Sequence, residues 1–181
     1  MDIETDLPTA GGTIKDFRPW VFLSARATVM GTPVEEVVMS FTDERTGNEV
    51  IPLAQCVHRL EAKEVARIAF TRGQRVHLYP INYAWDGEAI VFRCSAESPI
   101  ADSVNQEVVI EVDHIDEREH FAWSVIARGV PELVDPEQTP ELMRRLRSLS
   151  LYPWAEGEKG VWIRMIPSPL TGRVVKRTTR K

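Results

Sequence analysis

The segment Tyr79-Pro80-Ile81-Asn82-Tyr83-Ala84-Trp85-Asp86-Gly87-Glu88-Ala89-Ile90-Val91-Phe92-Arg93-Cys94 constrains the fold more than any other part of the chain. It reads as two strands folded about Asp86-Gly87, a dipeptide suited to a two-residue hairpin turn whose central residues need positive φ. A turn there pairs Trp85 with Glu88, Tyr83 with Ile90, Ile81 with Phe92 and Tyr79 with Cys94. Side chains alternate along a strand, so these residues share one large, mostly apolar face. The other face carries Pro80, Asn82, Ala84, Ala89, Val91 and Arg93. The first face predicts core. The second is a floor of small residues with one amide and one guanidinium, able to accept a flat anionic ligand.

Around this hairpin the hydrophobic period changes from helical to alternating. Residues 52–62 read as a helix, with Leu53, Val57 and Leu60 on one stripe and Pro52 at its start. Residues 65–70 and 75–84 read as strands joined by a turn near Gly73. A short helix follows Pro99, and residues 108–113 are a strand rich in β-branched side chains. Residues 121–134 form a long strand with Phe121, Trp123, Val125 and Ala127 on one side, bent near Gly129 and Pro131. A helix over 140–149, a strand over 161–166 and a short strand over 173–176 complete the pattern. Such a run of antiparallel strands without βα alternation predicts a mainly β fold with flanking helices, closed or partly closed into a barrel.

Residues 50–181 form the barrel domain in this reading, and residues 1–49 an N-terminal extension. Its first 13 residues look disordered, and Val34, Val37, Val38 and Phe41 recur at helical spacing after Pro33. That segment is open between a capping helix, a partner-binding arm and a remnant of another module. The 181 residues are 43% hydrophobic and 27% charged, as expected of an ordinary globular protein able to bury a core. A net charge of −5 argues against nucleic acid as a partner, and the basic residues Arg173, Lys176, Arg177, Arg180 and Lys181 read as a solvated tail. No apolar run approaches the roughly 20 residues that span a bilayer. The acidic start Met1-Asp2-Ile3-Glu4 is unlike a secretory signal, so the expectation is a cytoplasmic protein with reduced Cys56 and Cys94.

Several chemistries lack support. No Gly-x-Gly-x-x-Gly follows a strand, and Gly157-Glu158-Lys159-Gly160 lacks the Lys-Ser/Thr ending of a phosphate loop and reads as a surface turn. No Ser or Cys lies in a nucleophile elbow. The run Asp113-His114-Ile115-Asp116-Glu117-Arg118-Glu119-His120 matches no metal-ligand frame and reads as a charged hairpin loop. The better candidate joins Asn82, Arg93 and Ser95, with Ser98 and the helix after Pro99 adding donors. Arg suits phosphate because its planar fork forms charge-assisted, bidentate bonds. Trp123 and Ser124 on a neighbouring strand offer a wall and a donor.

With these residues in view, 51–175 resembles the pyridoxamine 5′-phosphate oxidase-like, FMN-binding split-barrel family. The resemblance rests on Ile51-Pro52-Leu53 leading into Val65-Ala66-Arg67-Ile68-Ala69-Phe70, on Pro80-Ile81-Asn82-Tyr83 with Asp86-Gly87, and on Ile90-Val91-Phe92-Arg93. It extends through Val112-Asp113-His114-Ile115-Asp116, Trp123-Ser124-Val125-Ile126-Ala127-Arg128-Gly129, Val161-Trp162-Ile163-Arg164 and Thr171-Gly172-Arg173. It implies a six-stranded antiparallel split barrel, a homodimer with flavin at the subunit interface, and a flavin-dependent oxidoreductase acting on a small molecule. Carried over, Pro80, Ile81, Asn82 and Tyr83 line the flavin ring, and Arg93, Cys94 and Ser95 approach the phosphate. Trp123 and Ser124 contact the ring, while Trp162 and Arg164 reach across the interface. The chain departs from its relatives at Pro99, where many carry Lys, and at Cys94, where Thr is usual. One lost cation is worth on the order of 1–3 kcal/mol of phosphate affinity. FMN, a deazaflavin and no cofactor all remain open, as do a non-enzymatic binding module and a structural dimer.

Overall fold

The computed structural model describes residues 41–43 and 46–176. Ten strands are found there: β1 (Phe41–Thr42), β2 (Glu49–Ile51), β3 (Val65–Arg72), β4 (Arg75–Trp85), β5 (Ile90–Cys94), β6 (Val108–Asp116), β7 (Phe121–Gly129), β8 (Glu132–Leu133), β9 (Val161–Met165) and β10 (Leu170–Lys176). Helix α1 (Leu53–Glu61) precedes β3, and α2 (Pro140–Arg147) lies between β8 and β9. The strands form one antiparallel sheet in the order β1-β2-β10-β7-β6-β3-β4-β5-β9-β8. This is the antiparallel split barrel expected from the sequence, with seven long strands where six were expected and short ones added at its edges. The added ones, β1, β2 and β8, are too short to carry a period.

Strand β4 is where the sheet folds over. Residues up to Asn82 pair with β3, and Tyr83, Ala84 and Trp85 pair with β5. The curl encloses Ile68, Phe70, Ile81, Tyr83, Phe92, Ile110 and Ile163. Fully burying one such side chain stabilises by roughly 1.5–3 kcal/mol. Helix α1 closes the core with Cys56 and Leu60, one turn apart. Leu53, expected inward, is exposed; Cys56 takes its place and donates its thiol hydrogen to the Ile51 carbonyl at 3.5 Å.

The hairpin keeps the predicted faces and changes the predicted register. Trp85 pairs with Ile90 and Tyr83 with Phe92, a slip of two residues that leaves every side chain on its expected side. Asp86 causes the slip. Its Oδ1 accepts the N–H of Glu88 at 3.0 Å and of Ala89 at 2.7 Å, closing a wider turn over residues 86–89. The small-residue floor is not open along its length either. Val91 and Ala84 lie under Val134, Met143, Leu146 and Leu151 in a second apolar cluster. The amphipathic α2 showed that it must pack, but not against which surface.

The edge of the sheet is clasped by charge. Arg173 Nη2 lies 2.6 Å from Asp43 and Lys176 Nζ 3.0 Å from Glu49. The basic tail is thus part of the fold up to Lys176, and Arg177, Arg180 and Lys181 lie outside the described residues. The same holds for the expected disorder at the N-terminus and for most of the helix after Pro33. Phe41, assigned to that helix, starts β1 instead.

Gly172 marks the closest approach between α1 and the sheet. A Cβ there would stand 2.6 Å from Cys56 Sγ and 2.9 Å from Ile51 Cβ. Gly172→Ala is therefore expected to destabilise by about 1–3 kcal/mol, through overpacking. A lowered urea midpoint checks this; an unchanged midpoint means that α1 can shift freely.

Candidate functional site

Alternation along β5 sends Phe92 and Cys94 into the core and Arg93 to the opposite face. There the β5–β9 register sets Arg93 beside Trp162. The guanidinium carbon lies 4.5 Å from the Trp162 ring centroid, a cation–π distance. Arg93 Nε donates to the Lys159 carbonyl at 2.9 Å. Ring and carbonyl together hold the fork in place and leave its two terminal nitrogens available. The turn 157–160, read as plain surface, thus orients the arginine.

Arg93 opens into a cleft of about 510 Å³, lined also by Arg147, Leu149, Leu151, Tyr152, Pro153, Gly160 and Trp162. Several guanidinium groups of the barrel have acidic partners: Arg67 has Asp113, Arg145 and Arg164 share Asp86, and Arg173 has Asp43. Among the described residues no carboxylate lies within ion-pair distance of Arg93 or Arg147. Two unpaired cations beside exposed aromatic surface make a place where an anion is stabilised.

The other expected site residues divide by face. Asn82 is half-buried and Pro80 exposed, both on the outer side of β4. The Trp154 N–H donates to Asn82 Oδ1 at 2.8 Å, which brings the cleft loop against Asn82. Ile81, Tyr83 and Cys94 turn inward and are buried, so a ligand outside can meet only their backbone. Tyr83 donates its hydroxyl to the Leu60 carbonyl at 2.7 Å, and burial pushes its pKa up. Burial also raises the Cys94 thiol pKa and so disfavours a thiolate, with a smaller opposing effect of Lys159.

Ser95 is half-buried at the end of β5, and its carbonyl accepts the Ser98 N–H at 3.1 Å. Free donors were expected after Pro99. Instead residues Pro99–Ser103 make a single 3₁₀ turn, and the Ile100 N–H donates to Ser98 Oγ at 3.3 Å.

Trp123 and Ser124 point to opposite faces of β7 and form no common wall. Trp123 faces inward with Arg59 at 5.3 Å and Lys63 at 5.8 Å from its ring. Arg164 is engaged within its own chain: Nε on Asp86 at 2.8 Å and Nη2 on Glu88 at 2.6 Å. It borders a different cleft, of about 440 Å³, with Gly129, Glu132 and Leu133. The charged loop is tied down as well, since Asp116 accepts the N–H groups of Arg118 and Glu119. The fold therefore gathers Asn82, Arg93 and Trp162 around one loop and leaves Trp123 and Arg164 elsewhere.

Arg147 and Tyr152 were not expected at the site. Arg144, Arg145 and Arg147 all read as the solvated face of α2. Nothing in their spacing tells that Arg145 turns to Asp86 while Arg147 borders the Arg93 cleft.

A barrel curled on one helix in this way has known relatives. The chain belongs to the pyridoxamine 5′-phosphate oxidase family, whose model matches residues 52–174. Among solved structures it is similar to the FAD binding protein from Mycobacterium smegmatis, at 26% identity and a TM-score of 0.59, covering 71% of this chain and 99% of that one. A conserved protein of unknown function from Corynebacterium diphtheriae is 26% identical with a TM-score of 0.55, covering 68% and 94%. An FAD-binding protein from Mesorhizobium loti shares the fold at 18% identity and a TM-score of 0.57, covering 72% and 98%. None of the curated proteins matches the sequence.

Proposed function

We propose that this protein is a flavoprotein that binds FMN, acts as a flavin-dependent oxidoreductase on a small molecule, and works as a cytoplasmic homodimer. Family membership and the likeness to an FAD binding protein support a flavin. The observation that carries the reading is Arg93, held by Trp162 and Lys159 with no acidic partner among the described residues. Such a group fits the phosphate of FMN, with Ser95 at the same strand end. The ring would lie toward Pro80 and Asn82 on the outer face, with the backbone of Ile81, Tyr83 and Cys94 behind it. When bound, the flavin supplies hydride transfer, and the chain supplies position and donors.

Among the described residues no helix is long and apolar enough to cross a membrane. The dimer rests on the outer face of the sheet. By the strand registers, Val65, Val76, Leu78, Ile115 and Val175 all point there, and all are exposed. An exposed apolar face of this kind fits a second copy of the chain. Leu78→Asp is expected to shift the dimer to monomer in light scattering. An unchanged dimer would move the interface elsewhere.

Purified protein should show oxidised-flavin absorbance, or acquire it with added FMN, and bleach with NAD(P)H or a reduced deazaflavin. Mass analysis of the released cofactor separates FMN from FAD and a deazaflavin. A second reading, a cofactor-free structural dimer, is favoured by Pro99 and by the Trp154 bond to Asn82. Protein that stays colourless with added flavin and binds no phosphorylated probe decides for it.

A further inference from the structure

We propose that the cleft between α2 and the β5–β9 pair is a two-arginine site for a phosphate monoester, in which Arg147 supplies the second cation. This deepens the flavin reading at the same cleft, where the strand end beside Arg93 offers Pro99 and no lysine. The charge is supplied instead from the last turn of a helix that is remote in sequence.

Three observations converge. Arg93 and Arg147 border one cleft of about 510 Å³. Among the described residues neither has a carboxylate partner; on the same helix Arg145 is paired with Asp86 at 3.3 Å and Arg144 is not paired, but of the three only Arg147 borders the cleft. Arg93 is pre-set by its bond to Lys159 and its seat over Trp162. A last-turn position favours a cation through the helix dipole, which accounts for arginines on α2 but not for the placement of Arg147 in the cleft that Arg93 borders. Like charges so placed raise the local potential, and a dianion relieves it. Two forks suit a phosphate monoester, which offers three acceptor oxygens. Tyr152, 74% exposed at the rim, adds a surface for a planar group attached to that phosphate.

The test uses the full chain and three probes: FMN, riboflavin and phenyl phosphate. Flavin binding is read by fluorescence quenching and phenyl phosphate by calorimetry. Wild-type protein should bind FMN at least about tenfold more tightly than riboflavin, since only FMN carries the phosphate. Arg147→Gln should weaken FMN about tenfold to a hundredfold and leave riboflavin unchanged. Arg144→Gln, on the same turn, should alter neither. Arg147 is exposed, and an unchanged urea midpoint confirms that its variant folds. If Arg147→Gln changes FMN and riboflavin equally, or changes neither, the two-arginine site is wrong while the flavin reading stands. If no flavin binds but phenyl phosphate does so through Arg147, the site stands and its ligand is a phosphorylated small molecule. If no phosphate compound binds, both are overturned.

Discussion

Asp86→Ala should destabilise the protein by about 3–5 kcal/mol, lowering Tm by about 10 °C or more. The Asp86 side chain is fully buried and receives Arg164 Nε at 2.8 Å and Arg145 Nη2 at 3.3 Å. It also accepts two backbone N–H groups at the head of the hairpin. One carboxylate thereby joins the β4–β5 turn, β9 and α2. Its removal leaves Arg164, whose side chain is only 15% exposed, with Glu88 alone, and orphans both amides. Burial by itself would raise the Asp86 pKa. The Arg164 bond, the Ala89 and Glu88 amides and the Arg164 charge outweigh it and hold the carboxyl below its ordinary value. The stabilisation is complete above the unfolded-state pKa of about 4 and is lost as pH falls through the lower folded value. Asp86→Asn should flatten that acid slope; an unaltered profile would show that the carboxylate is not charged in the fold.

Arg93→Ala should lower FMN affinity by about tenfold to a hundredfold while affecting riboflavin far less. Arg93 Nε is committed to the Lys159 carbonyl, so the two terminal nitrogens are what the residue has left to offer a phosphate in the cleft. Arg93→Lys, which keeps charge but loses the planar fork, should fall between wild type and alanine. His114→Ala is the comparison. His114 is exposed, 6.2 Å from the Trp123 ring, and belongs to no part of the cleft. Equal losses at Arg93 and His114 would refute the site.

Much of the barrel was legible because alternation is a property of each strand alone. The faces of the β4–β5 hairpin and of β7 follow from period two, and a register slip of two residues does not disturb them. Features that depend on a partner elsewhere were not legible. The Asp86 side chain resets the turn through hydrogen bonds that spacing does not encode. Leu53 and Cys56 compete for the inward side of α1, and proximity to Gly172 decides for the smaller Cys56. At the site, Arg93 was recognisable as an outward arginine beside Asn82. Its second cation was not, because Arg147 reaches the cleft only after α2 has packed over Val91.

The most direct measurement is a structure of the protein grown with FMN. The phosphate is expected within hydrogen-bond reach of the Arg93 and Arg147 guanidinium groups, the ring toward Pro80 and Asn82, and a second chain against Leu78. Flavin bound with its phosphate away from both arginines, or an empty cleft at saturating FMN, would contradict this.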